Sequence, residues 1–138
     1  MTGTLNNAVA ARDFGYNALQ VLRKRIQYTQ NATAITIGKI PAGALIIKGL
    51  SGIVVHTVTN AGTQNAINVG YTRASGTDDD YFGTLLATTA LNFVPLDETV
   101  TGYYLSEDTT ITATMALTGT AATTGDLEVV IVFVTGGR

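Results

Sequence analysis

The sequence predicts an all-β protein, an antiparallel β-sandwich or jelly-roll of about eight strands that follows an N-terminal arm. Three observations lead to this fold class. Short segments with alternating apolar and polar residues follow one another, turn-forming residues separate them, and threonine, which favours strands, is the most frequent residue at 24 of 138. A chain of this length makes one domain, and no segment after residue 20 has a convincing helical period.

The first 20 residues are predicted to form the arm, and residues 21–138 a single sandwich domain. The arm is rich in Asn and Ala and lacks the two-residue period of a strand. A helix over residues 7–22 is disfavoured because Gly15 interrupts it. Terminal segments become ordered where something holds them, and Phe14 and Tyr16 are the natural anchors for this one.

The first two strands are predicted between residues 25 and 37. Residues 25–29 and residues 33–37 both alternate, and residues 30–32 between them have the composition of a turn. The sequence therefore predicts a hairpin here.

A long apolar segment, residues 44–58, comes after the turn signal that Pro41 and Gly43 provide. Gly49 and Gly52 interrupt this segment, which indicates one strand with a bulge or two abutting strands rather than a helix.

The second half of the chain continues the pattern of strands and turns. Strands are predicted at residues 66–71, 81–88, 100–105, 110–117 and 127–134, and turns or loops at residues 60–63, 74–80, 97–98, 106–108 and 118–126. The final segment, Val129 to Val134, is apolar on both faces, which is typical of a central strand or of one covered by another subunit.

The net charge of -2 conceals a segregation of signs along the chain. Seven basic residues and one acid occur up to Arg73, whereas nine acids and only Arg138 follow it. This segregation fits contact between the basic part of one copy and the acidic part of another copy or of an acidic partner. Antiparallel folding would equally mix the two halves within one subunit.

The densest basic segment is Arg23, Lys24 and Arg25. In a strand, Arg23 and Arg25 share one face and Lys24 takes the other, so the patch is divided. An acidic chain with a pI near 5.1 is an unusual phosphate binder, and we expect no nucleic-acid partner. Charged residues of this kind also protect a strand edge from unwanted pairing.

The sequence offers no catalytic constellation, and we expect no enzyme activity. His56, the single histidine, lies in an alternating strand, and no Gly-x-Ser-x-Gly elbow or phosphate-binding glycine loop is present. The absence of cysteine excludes disulfides and thiolate chemistry. No apolar run is long enough to span a bilayer and no secretory signal is recognisable, so a membrane partner is not expected.

A cation site is the one ligand that the acidic residues suggest. Asp78, Asp79 and Asp80 offer oxygen ligands to calcium, but they lack the spacing of a calcium loop. A solvated acidic loop explains the three aspartates without an ion. We therefore predict no metal and no other cofactor.

A resemblance to a known family rests on four segments within residues 21–70. They are Leu22-Arg23-Lys24-Arg25-Ile26-Gln27-Tyr28, Ile40-Pro41-Ala42-Gly43, Ile53-Val54-Val55-His56-Thr57-Val58-Thr59 and Ile67-Asn68-Val69-Gly70. In this order they resemble the jelly-roll or β-sandwich decoration (cement) proteins of tailed-bacteriophage capsids and related small head proteins. The match covers about a third of the chain.

The resemblance implies a virion structural protein, made in the host cytoplasm, that binds the outer surface of a phage head and stabilises it. Its partner would be the major capsid protein. The scarcity of surface charge and the segregated signs lead us to expect other copies of the chain as partners as well, in a homotrimer. We expect the arm to extend across the capsid surface or a neighbouring subunit. The expected contact residues are Phe14, Tyr16, Arg23, Lys24 and Arg25.

The alternative is a module of a phage tail or fibre that binds a receptor or glycan, because such proteins share these sandwiches. Aromatic rings stack on sugar faces, and the candidates here are Tyr71, Tyr81, Tyr103 and Tyr104.

Overall fold

The computed structural model describes residues 18–99 and 103–135 of the chain. Within these residues the chain forms nine strands and two short 3-10 helices, at Tyr28–Gln30 and Lys48–Leu50. The strands are β1 (Gln20–Gln27), β2 (Ile35–Ile40), β3 (Leu45–Ile46), β4 (Gly52–Thr57), β5 (Gln64–Arg73), β6 (Gly76–Ala87), β7 (Phe93–Pro95), β8 (Thr109–Thr118) and β9 (Asp126–Val134). None of the helices in the described part of the chain is long and apolar enough to cross a membrane.

The strands form two antiparallel sheets that face each other. Sheet A has the order β1-β9-β4-β7, with β3 also paired to β9, and sheet B has the order β2-β8-β5-β6. The chain passes from one sheet to the other after β1, β2, β4, β6, β7 and β8, which is the connectivity of a jelly-roll. The predicted fold class is confirmed.

Alternation along the strands separates the core from the surface, as β8 illustrates. Ile111, Ala113 and Met115 are buried between the sheets, whereas Thr110 and Thr114 on the outer face are half-buried and Thr112, also on that face, is 8% exposed. A threonine on the outer face combines a β-branched carbon with a hydroxyl that water can solvate. The abundance of threonine therefore reflects a sandwich whose outer surface is largely uncharged.

The predicted interruption of residues 44–58 is confirmed as two abutting strands. Strand β3 and strand β4 lie end to end along the same side of β9, and the 3-10 helix Lys48–Leu50 separates them. The hydroxyl of buried Ser51 fills the gap, because it accepts a hydrogen bond from Val132 N and donates one to Ile47 O, both at 2.9 Å.

Strand β9 is the central strand of sheet A. It pairs with β1 on one side and with β3 and β4 on the other. Leu127, Val129, Ile131 and Phe133 point into the core and are nearly or fully buried. The apolar character of both of its faces thus agrees with the central position that the sequence indicates.

The predicted hairpin at residues 25–37 is wrong. Strand β1 belongs to sheet A and β2 to sheet B, so the two strands pair with different partners. Between them, the side chain of Asn31 exchanges two 2.9 Å hydrogen bonds with the backbone of Leu117, and Ala32 has a positive φ of 62°. The alternation of apolar and polar residues does not show which sheet a strand joins. Here the hydrogen bonds between Asn31 and Leu117 hold the segment in which the chain crosses from sheet A to sheet B.

Two further expectations differ from the structure, and one strand was not predicted. The predicted loop at residues 74–80 is mostly part of β6. Of the predicted strand at residues 100–105, only 103–105 are described, and there Tyr104 forms an isolated bridge to Leu45. Strand β7 is only three residues long, too short for alternation to reveal it.

The two strands of the β5–β6 hairpin approach closely at Gly70, and this generates a prediction about stability. The pairing of the two strands shifts register twice near this point. A Cβ at Gly70 would overlap the carbonyl oxygen of Asp78 and the backbone of Asp79, whereas a Cβ at Gly49 would meet nothing within 4 Å.

We predict that Gly70→Ala lowers the free energy of unfolding by about 1–3 kcal/mol, because two backbones must separate to admit one methyl group. The matched variant Gly49→Ala should change it by no more than about 0.5 kcal/mol. Urea denaturation followed by circular dichroism measures both. Equal stability of the two variants would contradict the close approach.

Candidate functional site

The outer face of sheet A contains two of the basic residues that the sequence singled out. Arg23 and Arg25 lie on the face of β1 opposite to that of buried Ile26 and point outward, beside the outward-facing acids Asp126 and Glu128 of β9. The antiparallel register places Arg25 opposite Glu128 and Arg23 opposite Val130. Each arginine reaches the carboxylate diagonally across the strand pair.

The pair of Arg23 and Glu128 is bidentate. Nε of Arg23 donates to Oε2 of Glu128 at 2.7 Å, and Nη2 donates to Oε1 at 2.9 Å. Nε2 of His56, on strand β4, lies 3.2 Å from the same Oε1. Glu128 is only 8% exposed. These hydrogen bonds, with that of Arg23 the largest cause, lower the pKa of Glu128 to about 2.

Arg25 binds Asp126 in the same bidentate manner, with Nε donating to Oδ1 at 3.0 Å and Nη2 donating to Oδ2. The hydrogen bond from Arg25 lowers the pKa of Asp126. Both arginines are therefore neutralised by partners in their own chain.

Lys24 is the remaining cation of this segment. It shares a side of β1 with Leu22 and Ile26 but is exposed. It makes no hydrogen bond or ion pair with any residue that the structure describes. The predicted division of the basic patch is thus confirmed, and only one of its three charges is unpaired.

Part of the charge segregation along the sequence is neutralised by ion pairs within one subunit. Arg23 with Glu128, Arg25 with Asp126, and Lys39 with Asp108 at 3.8 Å each join a basic residue of the first half to an acid of the second half. Contact of Arg23, Lys24 and Arg25 with a capsid or another subunit stays a prediction. Phe14 and Tyr16 lie outside the described residues.

His56 is placed as a surface histidine. Its hydrogen-bond partner in the described chain is Glu128, a carboxylate that Arg23 already holds. No serine or threonine hydroxyl of the described residues bonds to its ring. The arrangement orients an imidazole on a carboxylate but brings no nucleophile to it.

The three consecutive aspartates lie in a strand rather than in the predicted loop. The register shift within the β5–β6 hairpin makes this part of β6 bulge, and the carboxylate oxygens of Asp78, Asp79 and Asp80 all come within 4.8 Å of one another. The pKa of Asp80 is raised, chiefly by its hydrogen bond with the Asp78 side chain. Such a cluster is compatible with a cation, but exposed acids also occur together without one.

The tyrosines proposed as a sugar platform are mostly engaged with one another. Tyr71 and Tyr81 stack edge-to-face at 5.0 Å, and the guanidinium of Arg73 covers the Tyr71 ring at 3.5 Å. Tyr103 packs against Phe82 and donates a hydrogen bond to Glu98 O at 3.0 Å, and burial raises its pKa to about 12. Of the four, Tyr104 alone presents a largely exposed ring.

A half-open cleft of about 340 Å³ lies between the first 3-10 helix and the loop after β8. The amide of Asn31, its best polar group, is already bound to the backbone of Leu117. The lining contains no charged side chain and consists of Tyr28, Thr29, Asn31, Leu117, Gly119, Ala121 and Ala122. The cleft therefore provides few polar groups that could orient a bound ligand.

An exposed apolar surface, which the sequence did not reveal, lies at the end of sheet A where β1 begins. We call it the apolar end; it consists of Leu19, Val21, Leu45, Tyr104 and Val134. Leu45 is paired with Val134 on one side and with Tyr104 on the other, so their side chains share the outer face. All but Val134 are at least 41% exposed. The alternation of β9 predicts an outward Val134, but the pairing with Tyr104 is not readable from the sequence.

The Glu128 cluster generates a prediction about pH. A pKa lowered by folding contributes stability that is present above the ordinary value of 4.5 and is lost as the pH falls towards 2. We predict that Arg23→Gln destabilises the protein most above pH 4.5 and that its difference from the unmodified protein narrows towards pH 2. Urea denaturation between pH 2 and pH 7 measures this difference.

Lys24→Gln is the matched control, because it removes the same charge from an unpaired position. It should cause a smaller change in stability that does not follow the titration of Glu128. If the Arg23→Gln and unmodified proteins give parallel curves over the whole range, the pair does not stabilise the fold.

Two chains from solved phage capsids share this fold. A chain of the acidic stable capsid structure of Helicobacter pylori bacteriophage KHP30 matches with a TM-score of 0.65 and 12% identity, over 86% of this chain and 89% of that chain. A chain of the capsid asymmetric unit of cyanophage Pam1 matches with a TM-score of 0.61 and 19% identity, over 93% of this chain and 91% of that chain. No protein-family model and no curated protein matches the chain. The chain is therefore similar in fold to phage capsid proteins, as its resemblance implied.

Proposed function

We propose that this chain is a virion structural protein, a decoration (cement) protein that binds the outer surface of a phage head and stabilises it. The observation that carries the proposal is the jelly-roll shared, over most of both chains, with chains of two phage capsids. Agreement over nearly the whole length means that the fold as a unit, rather than one common hairpin, is similar.

The chemistry of the described surface supports a structural rather than an enzymatic role. The single histidine is bonded to a carboxylate that is already paired, and the described cleft contains no charged group. Enzymes need titratable groups converging in a concave site, and the described residues bring none together there.

The proposed partners are the major capsid protein and other copies of this chain, in a homotrimer on the particle. Two features support association. Strand β1 of sheet A and strand β6 of sheet B each pair on one side only within the described residues. An unpaired strand edge offers N–H and C=O groups with which a neighbouring chain can pair, and most oligomers of one chain are cyclic.

The proposed contact region is the N-terminal segment together with the start of β1. Lys24 is its unpaired charge, and Arg23 and Arg25 present arginine edges that are 62% and 55% exposed even while they bind their carboxylates. The chain is synthesised in the host cytoplasm under this proposal and joins the head there.

A receptor-binding module of a phage tail or fibre is the second candidate, and the exposed ring of Tyr104 is the observation that favours it. A single ring without flanking polar groups is a small platform for a sugar. A glycan array separates the two candidates: the proposal expects no binding, and specific binding to one glycan class would support the module.

Attachment to the head is tested by co-sedimentation with emptied heads of the phage that encodes the chain. We predict saturable binding at a fixed ratio to the major capsid protein, and no binding to purified tails. Deletion of residues 2–19 should leave the β-rich circular dichroism spectrum unchanged, because β1 begins at Gln20, and should weaken attachment. Binding to tails but not to heads would refute the decoration role.

The oligomeric state is tested by multi-angle light scattering at micromolar concentration. We predict a mass three times the 14.4 kDa of one chain. A stable monomer across this range would exclude a preformed homotrimer.

A further inference from the structure

The apolar end of sheet A exposes large side chains at the point where the N-terminal segment enters the domain. Leu19, Val21, Leu45 and Tyr104 are 56%, 49%, 41% and 59% exposed. Val21, Leu45 and Tyr104 lie on the outer face beside half-buried Val134, and Leu19 is two residues before Val21 in the chain. Contiguous exposed apolar surface of this kind is typical of a place where another segment or chain packs.

The length of chain ahead of Ala18 identifies an occupant. Seventeen residues precede Ala18, and the aromatic residues closest to it are Tyr16 and Phe14. An extended chain advances about 3.3 Å per residue, so these side chains reach about 7 Å and about 13 Å from Ala18. Neighbouring strands lie about 4.8 Å apart, and the three steps from β1 across β9 and β3 to Tyr104 therefore span about 14 Å. The reach of the two aromatics matches the width of the apolar end.

The direction of the chain at Ala18 and the spacing of the two aromatic residues also favour the N-terminal segment. The backbone bends at Ala18, two residues before β1 begins. Phe14 and Tyr16 are two residues apart, which places them on the same side of an extended segment. Attachment to the same chain holds them at a high effective concentration over this surface, which a separate partner lacks.

We propose that Phe14 and Tyr16 pack in cis on the apolar end of sheet A, with Tyr16 over Val21 and Val134 and Phe14 over Leu45 and Tyr104. The segment then crosses the outer face at right angles to the strands. Residues 1–13 stay free for contact with another chain. This packing does not depend on the proposed role in a virion.

A double-mutant cycle tests whether the side chains touch. Phe14→Ala and Leu45→Ala should each lower the urea midpoint, and the double variant should lower it by clearly less than the sum, because the same contact is lost in each case. Leu91 is the matched control. It is 68% exposed and next to Asn92, whose carbonyl accepts a hydrogen bond from Val55 N at the other end of sheet A. Phe14→Ala and Leu91→Ala should be additive, and additivity in both cycles would overturn the proposal.

Cross-linking tests which chain supplies the segment. The chain has no cysteine, so the Phe14→Cys, Leu45→Cys double variant has only the two introduced thiols. Oxidation with diamide, which takes up the two thiol hydrogens as the disulfide forms, should give a product with the mass of one chain in non-reducing electrophoresis. A disulfide-linked dimer would place the anchors on a neighbouring subunit, and a failure to cross-link would place them elsewhere. Either result overturns packing in cis while leaving attachment to heads to be judged by co-sedimentation.

Discussion

Strand β9 is paired along both of its edges, and the arrangement of sheet A depends on that constraint. Its side towards β1 is used from Asp126 to Phe133, and its other side is shared by β4 and β3 in succession. A strand held on both edges has one register. Its inward residues fill the core, and its outward residues must find partners on the strands beside it. The positions of Asp126 and Glu128 beside Arg25, Arg23 and His56 follow from this register.

The central position of β9 in the sheet leaves the side chain of Glu128 largely buried. A carboxylate at the centre of a sheet face is largely removed from water, and burial by itself would raise its pKa. The bidentate arginine more than offsets this effect, and the histidine adds a second contact to the same oxygen. The exposed arginine gives up little hydration while it holds the carboxylate. On this face of sheet A the paired side chains keep the surface polar while their opposite charges cancel. The 13% of charged residues and the 24 threonines indicate that polar, mostly uncharged residues also dominate the rest of the surface.

Much of the fold was predictable from the sequence, because its local patterns agree with the tertiary structure. The alternation of β8 and the two-sided apolar character of β9 survive unchanged, and Gly49 and Gly52 mark the interruption between β3 and β4. The wrong or missing predictions concern features that depend on contacts between residues far apart in the sequence. The Asn31 side chain and Leu117 direct the chain to the other sheet, and no local signal reports an interaction between residues 86 positions apart. The pairing of Arg23 with Glu128 is similar: segregated charges indicated that the halves meet, but only the register selects the partners. The apolar end was missed because Tyr104 reaches it through a single isolated bridge.

The hydroxyl of Ser51 has a consequence for the continuity of sheet A. Between β3 and β4, Ile47 N donates to Val132 O at 2.8 Å, and Val132 N donates to the Ser51 hydroxyl at 2.9 Å. A side-chain oxygen thus takes the place of a backbone acceptor where the chain leaves the sheet for the 3-10 helix. Strand β9 therefore keeps hydrogen-bond partners along this edge past the interruption. The two short strands and the serine together serve as one longer strand beside β9.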